Sequence, residues 1–140
     1  MSNKKLSNSV DETRAIGAEV ARLAQSGDVF ALTGEIGCGK TEFVRGFIAC
    51  LCGSAAVRSP TFSIINVHQA PQFTVYHFDF YRLRKKEELV EIGYYDYVAS
   101  DGVSLIEWAD MFPEALPSNV RYIRFSDNGE TSRKIEIDAI

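Results

Sequence analysis

Tryptophan occurs once in this chain, histidine twice, cysteine three times and proline four times. Each scarcity narrows what the chain can be. Cys38, Cys50 and Cys52 are an odd number without paired ligand spacing, and His68 and His77 are the only imidazoles. That set gives no disulfide framework and argues against a zinc site, so the cysteines read as reduced thiols. No apolar run approaches the ~20 residues of a membrane-spanning helix. The opening MSNKKLSNSV has lysines but no apolar stretch of a secretory leader, so a cytoplasmic location without membrane contact is expected. Positive charge is also short: 15 Lys and Arg against 19 Asp and Glu give a net charge of −4, which disfavours nucleic acid as the main electrostatic partner. No internal repeat or low-complexity linker interrupts the chain. Its 140 residues, 46% hydrophobic, suffice for a buried core, and one domain spanning 1–140 is expected.

Against these shortages stands one dense stretch, LTGEIGCGKT from Leu32 to Thr41. It matches GxxxxGK[ST], the phosphate-binding P-loop, whose glycines let successive backbone N–H groups turn onto phosphate oxygens. Lys40 is expected to reach the β- and γ-phosphates, and the Thr41 hydroxyl to ligate Mg²⁺. The context fits. Val29 to Leu32 reads as a short buried strand, and Phe43, Phe47, Cys50 and Leu51 mark one face of a following helix that stops at Gly53. That helix points its positive end at the phosphates. Gly34, Glu35, Ile36, Gly37, Cys38, Gly39, Lys40, Thr41 and Glu42 are accordingly expected at the nucleotide.

The rest of the chain supplies candidates of lower specificity. SVDE from Ser9 to Glu12 reads as a capping box opening a helix with Thr13, Ile16, Val20 and Leu23 on one face and Gly27 as its end. Its first turn either packs only or reaches the adenine side. Pro60 precedes a strand read over Phe62 to His68, which puts Thr61 in a loop: a plain Ser/Thr turn, or a hydroxyl near Mg²⁺ and the γ-phosphate. After a turn at Gln69 to Gln72, the strand Phe73 to Phe80 places Phe73, Val75, His77 and Asp79 on one face. Asp79 sits at the strand's end, where it either caps and pairs with Arg82 or orders water around Mg²⁺. His77 reads as structural rather than as a base. Arg82, Arg84, Lys85 and Lys86 read as a solvated basic turn or a partner contact. Short helices follow over Glu87 to Ile92 and Tyr94 to Val98. VSLIEW, from Val103 to Trp108, is an apolar strand closed by Glu107, the Walker-B pattern in which the acid holds Mg²⁺. A Pro-bounded loop runs from Met111 to Ser118. Strands over Val120 to Phe125 and Lys134 to Asp138 then flank the hairpin turn Ser126 to Gly129. Arg133 is a surface charge or a phosphate or adenine contact.

Taken together, LTGEIGCGKTEFVRG, SPTFSIIN, HFDFYRL, EELVEIGYYDYV and LIEWADMFPEALP resemble, in order and spacing, the motifs of the TsaE family of small bacterial P-loop ATPases needed to make threonylcarbamoyladenosine on tRNA. The resemblance runs from about Ser9 to the end. It implies an α/β P-loop NTPase fold with a single mixed sheet of about seven strands flanked by helices. It further implies ATP or ADP with Mg²⁺ as ligands, and the proteins TsaD and TsaB as partners, with tRNA reached only through that complex. By position, Lys40, Thr61, Asp79 and Glu107 match the catalytic set, and Thr41 and Glu107 the metal ligands. Val10, Thr13 and Arg133 lie in the zones matching adenine and C-terminal basic contacts. Cys38 stands where the family often has Ala, and Ala109 where Pro is common. The implied activity is slow ATP hydrolysis that regulates turnover of the TsaD–TsaB transferase. A small-molecule kinase and a non-hydrolysing nucleotide sensor are the alternatives, and a GTPase is disfavoured because no base-reading NKxD motif is present.

Overall fold

The computed structural model describes residues 2–35, 39–53, 64–129 and 132–138. Seven strands, β1 (Ser2–Ser7), β2 (Val29–Thr33), β3 (Ile65–Gln69), β4 (Thr74–Asp79), β5 (Val103–Glu107), β6 (Arg121–Asp127) and β7 (Arg133–Asp138), form one sheet in the order β1-β7-β6-β2-β5-β4-β3. The four central strands β6, β2, β5 and β4 are mutually parallel. β3 at one side, and β7 then β1 at the other, run antiparallel to their neighbours. Helices α1 (Val10–Leu23) and α2 (Lys40–Cys52) cover one face, and the short α3 (Glu88–Glu91) and α4 (Tyr94–Val98) lie on the other. This is the mixed seven-stranded sheet with flanking helices expected from the sequence. No helix among the described residues is long and apolar enough to cross a membrane.

β2 is the middle of the sheet and is buried on both sides, which is why its sequence is an unbroken apolar run. Phe30 and Leu32 face α1 and α2, while Val29 and Ala31 face the layer holding Phe78, Leu89 and Tyr94. Alternation on β4 and β5 then settles the polar residues at their ends. Val75 and, on β5, Val103 and Leu105 belong to the α2 side. His77, Asp79 and Glu107 share their parity and turn to that side as well.

α1 and α2 meet more closely than helices with side chains between them can. A methyl group on Gly17 would stand 2.1 Å from the Phe43 carbonyl oxygen, and one on Gly46 would stand 1.9 Å from the Arg14 carbonyl oxygen. The two glycines therefore bring backbone against backbone. The pair is pinned further by Arg14, whose Nη2 lies 2.8 Å from Glu42 Oε1. Ser9 caps α1 by accepting from the Glu12 N–H at 3.0 Å, but the Glu12 carboxylate takes the Asn8 N–H at 2.8 Å rather than that of Ser9, so the box closes one residue early.

Several boundaries differ from the sequence reading. α1 stops at Leu23, short of Gly27, and Leu23 is exposed because the buried stripe is Thr13, Ile16, Gly17, Val20 and Ala21. Cys50 on α2 is likewise exposed. Ser2 to Ser7, to which the sequence reading gives no element, form β1, paired with β7 from Ser2 opposite Asp138 to Ser7 opposite Arg133. Polar Lys4, Lys5 and exposed Leu6 hide the alternation that marks a strand, and the ladder offered by β7 decides instead. Phe80 lies in a 3₁₀ turn, Trp108 leaves β5, one 3₁₀ turn over Ala109–Met111 leads into the Pro-bounded loop, and a second over Pro113–Ala115 lies within it. β3 begins at Ile65; Phe62 and Ser63 lie outside the described residues.

Because neither backbone can yield locally, Gly46→Ala is expected to destabilise the protein by about 3 kcal/mol, the upper end of core overpacking. The measurement is the urea midpoint, which should fall while the m-value stays constant.

Candidate nucleotide and metal site

The four parallel strands all end at one edge of the sheet, the position where open α/β sheets bind ligands. The antiparallel strands add to it: β1 ends there at Ser7 and β7 begins there at Arg133. Gly34 and Glu35 follow directly on β2, and α2 starts at the same edge with Lys40. Gly39, with φ +92°, caps α2 in a left-handed conformation that only glycine adopts without strain.

Lys40 is nearly buried, at 5% exposure. Its ammonium donates to the Gly34 carbonyl and, at 2.9 Å, to the Glu35 carbonyl, and it lies 4.2 Å from the centroid of the Trp108 ring. Trp108 is the one described non-glycine residue with positive φ, at 59°, and its ring leans on Tyr81 with centroids 5.0 Å apart. The cation is thus held between backbone carbonyls and an aromatic face, beside the N-terminus of α2.

One residue along, the Thr41 hydroxyl donates to Glu107 Oε1 at 3.1 Å, joining positions 66 residues apart in the chain. Glu107 is 4% exposed. Its other oxygen, Oε2, lies 2.5 Å from His77 Nε2. Asp79 stands directly across the β4–β5 ladder from Glu107. It accepts the Tyr81 N–H at 3.0 Å, and the Arg82 guanidinium lies 3.9 Å away. Burial raises the pKa of Asp79 above its ordinary value, and the neighbouring Glu107 charge acts in the same direction against the lowering effects of the Tyr81 N–H, His77 and Arg82.

The other candidates distribute as follows. Thr13 is buried, shares a 2.7 Å hydrogen bond with the Ser7 hydroxyl, and would meet a methyl placed on Gly39 at 3.4 Å, so the start of α1 lies against the P-loop helix. Arg133 faces Ser7 across the β1–β7 ladder and lies 3.4 Å from Asp127. Val10 is half exposed at the first turn of α1. Glu42 holds an ion pair with Arg14 on α1. Ile36, Gly37, Cys38 and Thr61 lie outside the described residues. His77, read from the sequence as structural, is the residue whose partner was missed. The available signal was its parity, two residues before Asp79 on the same strand.

Comparison with known proteins agrees with the fold. The family model described as threonylcarbamoyl adenosine biosynthesis protein TsaE matches residues 7–135. The tRNA threonylcarbamoyladenosine biosynthesis protein TsaE of Bacillus subtilis is 37% identical over 130 residues, 93% of this chain and 81% of the relative. Its namesake from Treponema pallidum is 33% identical over 132 residues, 94% of this chain and 97% of the relative. The crystal structure of Bacillus subtilis YdiB superposes with a TM-score of 0.79 and 31% identity, covering 100% of this chain and 86% of that one.

The native pKa of Asp79 lies above its unfolded value, so the native state binds this proton more tightly and stability declines as pH rises from the ordinary 3.8 through the raised value. Asp79→Asn keeps the acceptor for the Tyr81 N–H and removes the charge. It is expected to raise the thermal midpoint of the ligand-free protein at pH 7, with the difference vanishing below pH 3.8 in melts run across pH.

Proposed function

Since this chain belongs to the TsaE family, we propose that it is an ATPase acting in the biosynthesis of threonylcarbamoyladenosine on tRNA, and that the edge bearing Lys40, Thr41 and Glu107 binds ATP with Mg²⁺. The observation that carries this reading is the contact between the Thr41 hydroxyl and the Glu107 carboxylate at 3.1 Å. A P-loop hydroxyl and a strand-end carboxylate are hard oxygen donors, and side by side they suit Mg²⁺, which takes one or two protein oxygens and completes its shell with phosphate and water. When bound, Mg²⁺ would neutralise charge on the phosphate oxygens.

The chain's own residues supply the rest. Amide hydrogens at the start of α2 and of the loop before it bind phosphate oxygens, aided by the helix dipole. Lys40 exchanges the Gly34 and Glu35 carbonyls for phosphate, a stronger charge-assisted partner. Asp79, partly desolvated beside Glu107, accepts a hydrogen bond from the attacking water and orients it. Val10, Thr13 and Arg133, gathered at the β1–β7 side of the same edge, contact the nucleoside. Thr61 provides a further hydroxyl toward the γ-phosphate. Hydrolysis alone is slow, and its cycle controls docking on TsaD and TsaB, the transferase pair, so that this chain regulates turnover without handling the transferred group. Contact with tRNA is through that complex.

Lys40→Ala and the isosteric Glu107→Gln are expected to reduce ATP turnover on the order of 10²-fold or more. In a reconstitution with TsaB, TsaD, tRNA and threonylcarbamoyl adenylate, modified tRNA per transferase should fall in parallel. Full multiple-turnover modification by a folded but hydrolysis-dead variant would remove the cycle from this account.

A further inference from the structure

We propose that His77 is a positioning residue for Glu107, holding one carboxylate oxygen so that the other stays turned to Thr41 and, on the reading above, to the metal. Glu107 Oε1 accepts from Thr41 at 3.1 Å, and Oε2 lies 2.5 Å from His77 Nε2. An ionised carboxylate can only accept, so Nε2 carries the hydrogen and donates it. The carboxylate is thereby fixed about its final torsion by a donor on each oxygen, one from α2 and one from β4.

A merely structural histidine is the competing explanation, and the surroundings speak against it. His77 is fully buried, and among the described residues its Nδ1 has no hydrogen-bond partner. Across the ladder it faces Leu105 on one side and Asn66 on the other. Burying a ring nitrogen without a partner is unfavourable, and a leucine would fill such a place at no polar cost. What leucine cannot supply is the hydrogen bond to Glu107. That bond matters more here because Asp79 stands opposite Glu107 on the paired strand, and two neighbouring carboxylates repel. Tied back by His77, Glu107 keeps its orientation against that repulsion before any cation arrives. Partners of this kind hold metal-binding carboxylates in many sites, and their loss lowers metal affinity by roughly 10- to 100-fold.

The test is calorimetric titration of a non-hydrolysable ATP analogue, with Mg²⁺ and with EDTA, on wild type and on His77→Leu, His77→Gln and His77→Asn. Gln carries an amide that reaches the Nε2 position, and Asn carries the same amide too short to reach. The expected result is that Leu and Asn lose about 10- to 100-fold of the affinity gained on adding Mg²⁺, keep their affinity in EDTA, and that Gln restores most of the gain. The assignment is overturned if the Leu variant gains as much from Mg²⁺ as wild type, or if affinity in EDTA falls equally, the sign of a general packing defect. Should Leu fail to fold, the Asn and Gln pair decides: equal Mg²⁺ gains in both refute the assignment, and a gain in Gln alone supports it. A wild type without any Mg²⁺-dependent affinity refutes the metal site itself, and the role of His77 with it.

Discussion

The site depends on the register between β2 and β5. Leu32 pairs with Glu107, so the strand that feeds the phosphate loop and the strand that ends in a carboxylate finish level with one another. Side chains alternate along a strand, and a slip of one residue would turn Glu107 to the opposite face, away from Thr41. That register is not set at the site. It is set by Phe30, Leu32, Val103 and Leu105, which bury their side chains against α1 and α2, and by Ala31 and Ile106, which bury theirs on the other side. The polar geometry at the edge is a by-product of apolar packing in the middle of the sheet.

A second constraint works through helices. Backbone contact at Gly17 and Gly46 fixes α1 relative to α2, and α2 carries Lys40 and Thr41 at its start. The first turn of α1 therefore has a set position relative to the phosphate loop, which is how Thr13 comes to lie against Gly39. On the other flank, the antiparallel β7 brings Arg133 to the same edge beside Ser7. Residues from both ends of the chain are thus collected around a loop near its first quarter.

Much of this was legible in the sequence, for identifiable reasons. The P-loop has a fixed spacing because its backbone geometry is fixed, and β5 declared itself by an apolar run closed with an acid. β4 showed the parity that puts Asp79 and His77 on one face. What was hidden depends on tertiary partners. β1 has no apolar alternation and exists because β7 offers it a ladder. Gly17 and Gly46 carry no signal within their own helices, since their reason lies in the backbone of the helix opposite. Parity alone put His77 on the face of Asp79, but its contact with Glu107 follows only once β4 is paired with β5. The ion pair of Glu42 with Arg14 was likewise hidden, because it joins α2 to α1.

The pairing of β1 with β7 also bears on how the molecule comes into being. Ser2 to Ser7 have as their only described strand neighbour Arg133 to Asp138, a segment made much later in synthesis. The centre of the sheet can assemble while the chain is still emerging, whereas Ser2 to Ser7 must wait, and closing so long a loop is entropically demanding. Ser7, held against Thr13 beside the phosphate loop, is in that waiting segment. The Ser7 side of the edge is therefore completed only after Arg133 to Asp138 have been made.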